Sequence, residues 1–300
     1  MITQTPGFRF LCIGIFILAS ANAFSAPNAN DVQRFNSFYK YALISNAAYQ
    51  GRNDVEKILA GSEYTITKQG ELPGYYVGYF LATNHKLKKQ VLVVRGTSNV
   101  ENAMLDIALK LLPNKHTGVK LHQGFALTAD FIYNELKSSL NKGYRISTTG
   151  HSLGGAVALI LAMYIDSDGY NVGKVVTFGQ PKVTNIGGSK RFAHLDVTRL
   201  VMPSDMVPLM PPMDAMDMMN VDIYWHLGTE IVLQKGNTYS QLEGVNSMLR
   251  ATDFLNEVIS EKNLQEHFMA GYINSLKLKQ VDPQQIPYKN NFNIYNFFNG

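Results

Sequence analysis

The stretch Tyr144–Tyr164, YRISTTGHSLGGAVALILAMY, constrains this chain more than any other. It opens as a β-type run over Tyr144–Thr148, breaks at Gly150 and resumes as an apolar helical run from Leu153 to Tyr164, with Ser152 on the corner. Gly150-x-Ser152-x-Gly154 between a strand and a helix is the pattern of a nucleophile elbow, built from Gly150, His151, Ser152 and Gly154. The glycines are needed because a Cβ at either position would strike the neighbouring strand or helix, and Gly155 and Ala156 let the helix approach the sheet closely. Such a turn should project the Ser152 hydroxyl at the top of a sheet. It also aims the first N–H groups of the helix at whatever Ser152 attacks, where negative charge would develop. The pentapeptide alone is common in loops; the flanking strand and helix are what give it meaning.

Three hundred residues, 46% of them hydrophobic, are enough for one large core, so a single α/β domain is the default. The net charge of +4 comes from scattered lysines, which excludes a nucleic-acid footprint but leaves room for weak attraction to an anionic membrane surface. Arg9, the apolar run Phe10–Ala19 and Ser20-Ala-Asn-Ala23 form the three parts of a secretory signal. The run is shorter than the ~20 residues of a membrane span, although an uncleaved anchor is the alternative. Cleavage is expected after Ala23, with Ala26 second, leaving residues 24–300 as one domain in a secreted or periplasmic protein. The only cysteine, Cys12, lies within this signal, so the exported chain would carry no thiol and no cysteine nucleophile.

Reading onward, Asp31–Tyr49 has the period of an amphipathic helix with Asp31 as its N-cap and no role beyond covering a sheet. Glu63–Lys68 and Tyr75–Ala82 are β-rich runs about a Pro73-Gly74 turn, and Gln90–Val94 has the continuous apolar character of a strand buried on both faces. Met104–Leu112 is apolar on nearly every face, with Pro113 ending the segment; as a helix it must be buried in the core or act as a lid over a site. Phe125–Leu140 reads as a helix, Gly173–Gly179 and Val197–Met202 as strands, and Ser247–Ile259 and Asn263–Leu276 as two helices. The methionine-dense Pro211–Val221 suits either core packing or an adaptable rim for acyl chains. No zinc-ligand spacing, EF-hand or phosphate loop appears, and no metal or organic cofactor is expected.

GHSLGGA resembles the class 3 lipase family, α/β-hydrolases that include the fungal triacylglycerol lipases. Arg95-Gly96-Thr97-Ser98, Leu121-His122-Gln123-Gly124-Phe125, the TFGQPKVTN stretch, Asp205-Met-Val-Pro-Leu-Met-Pro-Pro212, Tyr224–Glu230 and Glu266–Tyr272 resemble further motifs of that family, in its order. Val94, Lys182 and Thr184 are mild departures. The resemblance implies an α/β-hydrolase fold, a mostly parallel central sheet flanked by helices, with the site at the carboxyl ends of the strands. It implies Ser152, Asp205 and His267 as nucleophile, orienting carboxylate and base, and Thr97 and Leu153 as the oxyanion hole. His122 is read as structural. His226, in a segment resembling the family's YxHxGxE hairpin, is not at the base position.

The expected activity is hydrolysis of a lipid ester, an acylglycerol or a phospholipid, at a membrane or emulsion interface and without an obligate protein partner. A soluble ester, as for the feruloyl esterases sharing the fold, is the alternative. A catalytically silent lipid-binding protein is the competitor from another class, separable by reactivity of Ser152 toward a fluorophosphonate; a serine peptidase lacks any supporting motif.

Overall fold

The computed structural model describes residues 28–72, 77–97, 110–211, 222–250 and 260–289. Helices α1 (Ala29–Gln50) and α2 (Arg52–Leu59) lead into an antiparallel run of strands, β1 (Thr65–Leu72), β2 (Val77–Asn84) and β3 (Lys89–Val94). Then come β4 (Leu111–Pro113), β5 (Lys120–His122), helix α3 (Gln123–Leu136), β6 (Arg145–His151), helix α4 (Leu153–Ser167) and β7 (Asn171–Phe178). Strand β8 (Thr184–Asn185), helix α5 (Ile186–Arg191), β9 (Val197–Val201), β10 (Tyr224–Trp225), β11 (Thr229–Val232) and β12 (Thr238–Leu242) follow. Helices α6 (Gly244–Leu249), α7 (Glu261–His267) and α8 (Met269–Leu278) and strand β13 (Gln284–Gln285) complete the described chain.

Among the described residues the main sheet runs β1-β2-β3-β6-β7-β9-β11-β12-β13, and its centre from β3 to β11 is parallel. The expected mostly parallel α/β sheet with flanking helices is therefore present. Neighbouring residues of one strand serve opposite layers. Val175 joins Leu92 and Ile146 in a core under α3 and α4, whereas Val176 joins Phe178, Leu200 and Ile231 under α1 and α8. A strand covered on both faces is buried along its whole length, as β9 is, with all five residues buried and its one charge, Arg199, paired to Glu230 at 2.9 Å. Helix α4 is buried at every position from Gly154 to Ile165, which suits a helix apolar all round. A second, four-stranded antiparallel sheet has the order β10-β8-β5-β4.

Several local expectations change. Helix α1 is capped by the Asn28 side chain, which accepts from Asn30 N–H; Asp31 lies in the first turn. Leu111–Pro113 is a strand paired with β5, so Pro113 ends a strand rather than a helix. The Tyr224–Glu230 stretch is not a hairpin: β10 pairs with β8 in the small sheet, and β11 pairs with β9 and β12 in the large one. The helix read over Asn263–Leu276 is broken at Phe268, whose backbone is extended (φ −71°, ψ 141°). The signal segment 1–23, the Pro73-Gly74 turn, residues 104–109 of the lid candidate Met104–Leu112 and residues 212–221 of the methionine-dense Pro211–Val221 lie outside the described residues. None of the described helices is long and apolar enough to cross a membrane.

Candidate active site

Strand β6 ends at His151 and α4 begins at Leu153, leaving Ser152 as the corner with φ 58° and ψ −132°. A side chain rarely takes this conformation, at a cost on the order of 1–3 kcal/mol that surrounding packing has to hold in place. The packing is visible at the glycines. A Cβ on Gly150 would reach 2.7 Å from the Val94 carbonyl oxygen, and one on Gly154 would collide with that same carbonyl. The end of β3 thus presses directly on the elbow. Ser152 N–H donates to Phe178 O at 2.9 Å, fixing the corner to β7. The residue stands at the carboxyl end of the sheet but is buried, 2% exposed, rather than projecting freely.

Asp205 follows β9, and His267 ends α7. The His267 ring donates through Nδ1 to both Asp205 oxygens, at 3.0 and 2.9 Å, with both side chains fully buried. The Tyr272 hydroxyl donates to Asp205 Oδ2 at 2.6 Å and Val207 N–H to Oδ1 at 3.0 Å. Burial pushes the Asp205 carboxyl up, but the adjoining His267 ring and these hydrogen bonds outweigh it and hold the group below its usual range. With Nδ1 committed, His267 Nε2 is buried and has no hydrogen-bond partner among the described residues. Gly179, at φ 56°, makes room for the pair: a Cβ there would sit 2.9 Å from Asp205 Oδ2 and 2.9 Å from His267 Cε1.

The loop after Asp205 is stiffened by more than its prolines. Lys182, fully buried, donates to the carbonyls of Leu209 and Pro211, the latter at 2.8 Å, and its own N–H to Met210 O at 2.8 Å. Burial, with Arg250 and Arg199 nearby, pushes the Lys182 amine down to about 7. His226 Nε2 donates to Pro208 O at 2.6 Å, so this histidine grips the loop and does not share the Asp205 carboxylate. Asn263 donates to Ser204 O at 2.8 Å, and Glu266 accepts from Ser204 N–H at 2.7 Å. His122 acts as a cap, its Nδ1 accepting from Phe125 N–H at the start of α3.

Leu153 is the first residue of α4, where N–H groups have no carbonyl partner inside the helix. Thr97 lines a cavity of about 320 Å³ together with Tyr49, His151, Phe268 and Met269. Phe268 is half exposed at its mouth. Three site neighbours escaped the sequence reading. Tyr272 lies in the histidine segment with no signature of its own, Gly179 reads as the end of a strand, and Tyr49 ends a helix with the pattern of a cover for the sheet. The available signal was a tyrosine at the end of an apolar face, since a buried phenol hydroxyl needs a partner. Among the described residues there is no group of three His, Cys, Asp or Glu side chains suited to hold a metal ion.

Residues 91–215 match the lipase (class 3) family. A secreted mono- and diacylglycerol lipase of Fusarium solani is 31% identical over 179 residues, covering 53% of this chain and 49% of the relative. A lipase of Rhizomucor miehei is 27% identical over 220 residues, covering 67% of this chain and 57% of the relative. The chain therefore spans about half to three fifths of the length of these curated relatives. Among solved structures, lipase II of Rhizopus niveus superposes with a TM-score of 0.59 over 70% of this chain and 84% of that one, at 24% identity. The Lip2 lipase of Yarrowia lipolytica does so at 0.58 over 70% and 81%, also at 24% identity. At such identity the superpositions speak for the α/β-hydrolase fold alone. Motif order, the match over residues 91–215 and the shared fold all liken this chain to the class 3 lipase family.

Proposed function

We infer that this protein is a serine esterase acting on lipid esters, with Ser152 as nucleophile, His267 as base and Asp205 as its orienting carboxylate. The observation carrying this reading is the His267 ring, clamped by Asp205 at Nδ1 while Nε2 stays buried without a partner among the described residues. A ring held in that tautomer has its basic nitrogen ready for a proton. In the reaction, His267 Nε2 takes the Ser152 proton as Oγ bonds to the ester carbonyl carbon. The carbonyl oxygen becomes an oxyanion, stabilised by Leu153 N–H and by the Thr97 backbone and hydroxyl. The C–O bond to the alcohol breaks as His267 returns the proton to the leaving oxygen. Water, deprotonated by the same nitrogen, then releases the acid and restores Ser152.

The similarity to lipases and to a mono- and diacylglycerol lipase favours an acylglycerol, and the half-exposed Phe268 beside the Thr97 cavity favours an apolar acyl group. Export fits the N-terminal signal pattern and the description of the Fusarium relative as secreted, and residues 24–300 are taken as one domain. The test is a panel of triacylglycerol, diacylglycerol, phospholipid and short p-nitrophenyl esters, run with the parent protein and Ser152→Ala. The expected result is turnover of acylglycerols that falls by about 10³-fold or more in the variant. Turnover confined to soluble esters would move the substrate class, and an inert parent would favour the silent lipid-binding protein.

A further inference from the structure

We propose that Tyr49 and His151 form a positioning relay that fixes the His267 backbone, and hence the base, relative to the Ser152 elbow and the Thr97 strand end. The proposal rests on the serine-esterase reading above and adds two residues to it.

The hydrogen bonds define their own direction. His151 Nε2 lies 2.7 Å from the His267 carbonyl oxygen, and a carbonyl only accepts, so Nε2 carries the proton. His151 Nδ1 is then an acceptor, and the Tyr49 hydroxyl, 2.8 Å away, donates to it. Gly96 packs against the same hydroxyl, since a Cβ there would sit 2.7 Å from it. One chain of hydrogen bonds therefore runs from Tyr49, packed against Gly96 beside Thr97, to His151, beside Ser152, and on to His267. It joins the ends of β3 and β6 to α1 and to the junction of α7 and α8.

The helix break at Phe268 explains why the His267 carbonyl is open to this contact. In an unbroken helix that oxygen would accept from the N–H of Gly271. Here Gly271 N–H donates to Phe268 O at 3.0 Å instead, because Phe268 is extended and caps a new helix. The orphaned carbonyl is buried against the elbow, where leaving it unpaired would be costly. His151 satisfies it from the one residue that cannot move without moving Ser152.

The charge state of His151 suits the task. Its ring lies 4.7 Å from the His267 ring, so a positive His151 would oppose the imidazolium that forms at His267 during catalysis. Burial, reinforced by the neighbouring His267, lowers the His151 group to about 3, and the ring stays neutral at ordinary pH. A neutral ring with one fixed donor and one fixed acceptor is a rigid spacer, whose tautomer is set by the His267 carbonyl. Placement by locked neighbours of this kind determines whether a base sits within reach of its proton.

The experiment uses the full protein, a soluble p-nitrophenyl ester, and active-site titration with a fluorophosphonate, so that kcat is expressed per reactive serine. Four variants are compared: Tyr49→Phe, His151→Gln, His151→Leu and the Tyr49→Phe/His151→Leu double. The Gln side chain amide reaches the position of Nε2 and restores the donor to His267 O. Expected are losses in kcat of about 10-fold for Tyr49→Phe and about 100-fold for His151→Leu, with KM changed less than ~3-fold, as for a lost placement effect. His151→Gln should recover to within ~10-fold of the parent. The double variant should be no worse than His151→Leu, since the two residues act in series.

A His151→Gln variant no better than His151→Leu overturns the relay, as does a double variant whose loss is the product of the single ones. An effect carried by KM would make the two residues cavity lining only. If His151→Leu does not fold, Tyr49→Phe decides: unchanged kcat per titrated serine overturns the relay. A parent that neither reacts at Ser152 nor hydrolyses the ester overturns the esterase reading and the relay with it, whereas a reactive parent with an unaffected Tyr49→Phe overturns the relay alone.

Discussion

The Asp205 carboxylate accepts from the His267 ring, the Tyr272 hydroxyl and the Val207 N–H while fully buried. Every bond of this set favours the ionised form, which is what holding a histidine in one tautomer requires. His226 is equally buried but spends its Nε2 on Pro208 O. The two histidines should therefore fail differently. His267→Ala is expected to lower kcat by about 10³-fold or more while keeping its fold, and His226→Ala to lower the thermal midpoint with a smaller loss of kcat. Circular dichroism and turnover on one soluble ester check both, and a folded, inactive His226→Ala with an active His267→Ala would reverse the assignment. His151 adds a pH signature. The unfolded chain protonates this histidine near 6.5, the folded chain only near 3. Between those values the unfolded state binds more protons, so stability falls as pH is lowered across that window, at up to ~1.4 kcal/mol per unit. Asp205, held low, adds its own loss further down, as pH falls through the carboxylate range toward its folded value. Urea midpoints at pH 7, 6, 5 and 4 should drop more steeply for the parent than for His151→Gln; parallel slopes would contradict a buried neutral His151.

At the scale of elements, the site is an arrangement of strand ends. The ends of β3, β6, β7 and β9 bring Thr97, Ser152, Gly179 and Asp205 to one edge of the sheet, because parallel strands in register finish together. Gly179 has no side chain and a left-handed backbone, and it faces the Asp205–His267 pair. Gly179→Ala should therefore reduce kcat by at least about 10-fold through displacement of that pair, with secondary structure intact. Wild-type turnover in a folded Gly179→Ala variant would mean the pair has slack that the packing does not suggest. Elements with one dominant period are legible in the sequence: the elbow strand and helix, and the apolar runs of β3 and β7. What local pattern could not carry was partnership. Tyr224–Glu230 has the polarity of a hairpin, yet β10 and β11 separate into different sheets, because pairing is decided by distant strands, β8 for one and β9 for the other. The break at Phe268 was also hidden. Apart from Gly271, nothing in Glu266–Tyr272 disfavours a continuous helix, and no residue at Phe268 marks the break; what accompanies it is the contact between His267 O and the ring of His151, 116 positions away in sequence.

For the whole molecule, the family-like motifs are legible because they are short and ordered along the chain, and that order is what makes Ser152, Asp205 and His267 the candidates for the site. Tyr49, Tyr272 and Lys182 have no such local signature; each matters through partners far along the chain, such as Asp205, 67 positions before Tyr272. The sheet brings these separate segments to one edge, and the account stands or falls on Ser152 being an activated nucleophile there. Intact-protein mass spectrometry after exposure to a fluorophosphonate measures this most directly, with peptide mapping and ester turnover followed in parallel. The account predicts one adduct per chain, on Ser152, forming at the rate at which hydrolysis disappears, and no adduct on Ser152→Ala. Hydrolysis that persists while Ser152 stays unmodified, or an adduct on another residue that abolishes activity, would contradict it.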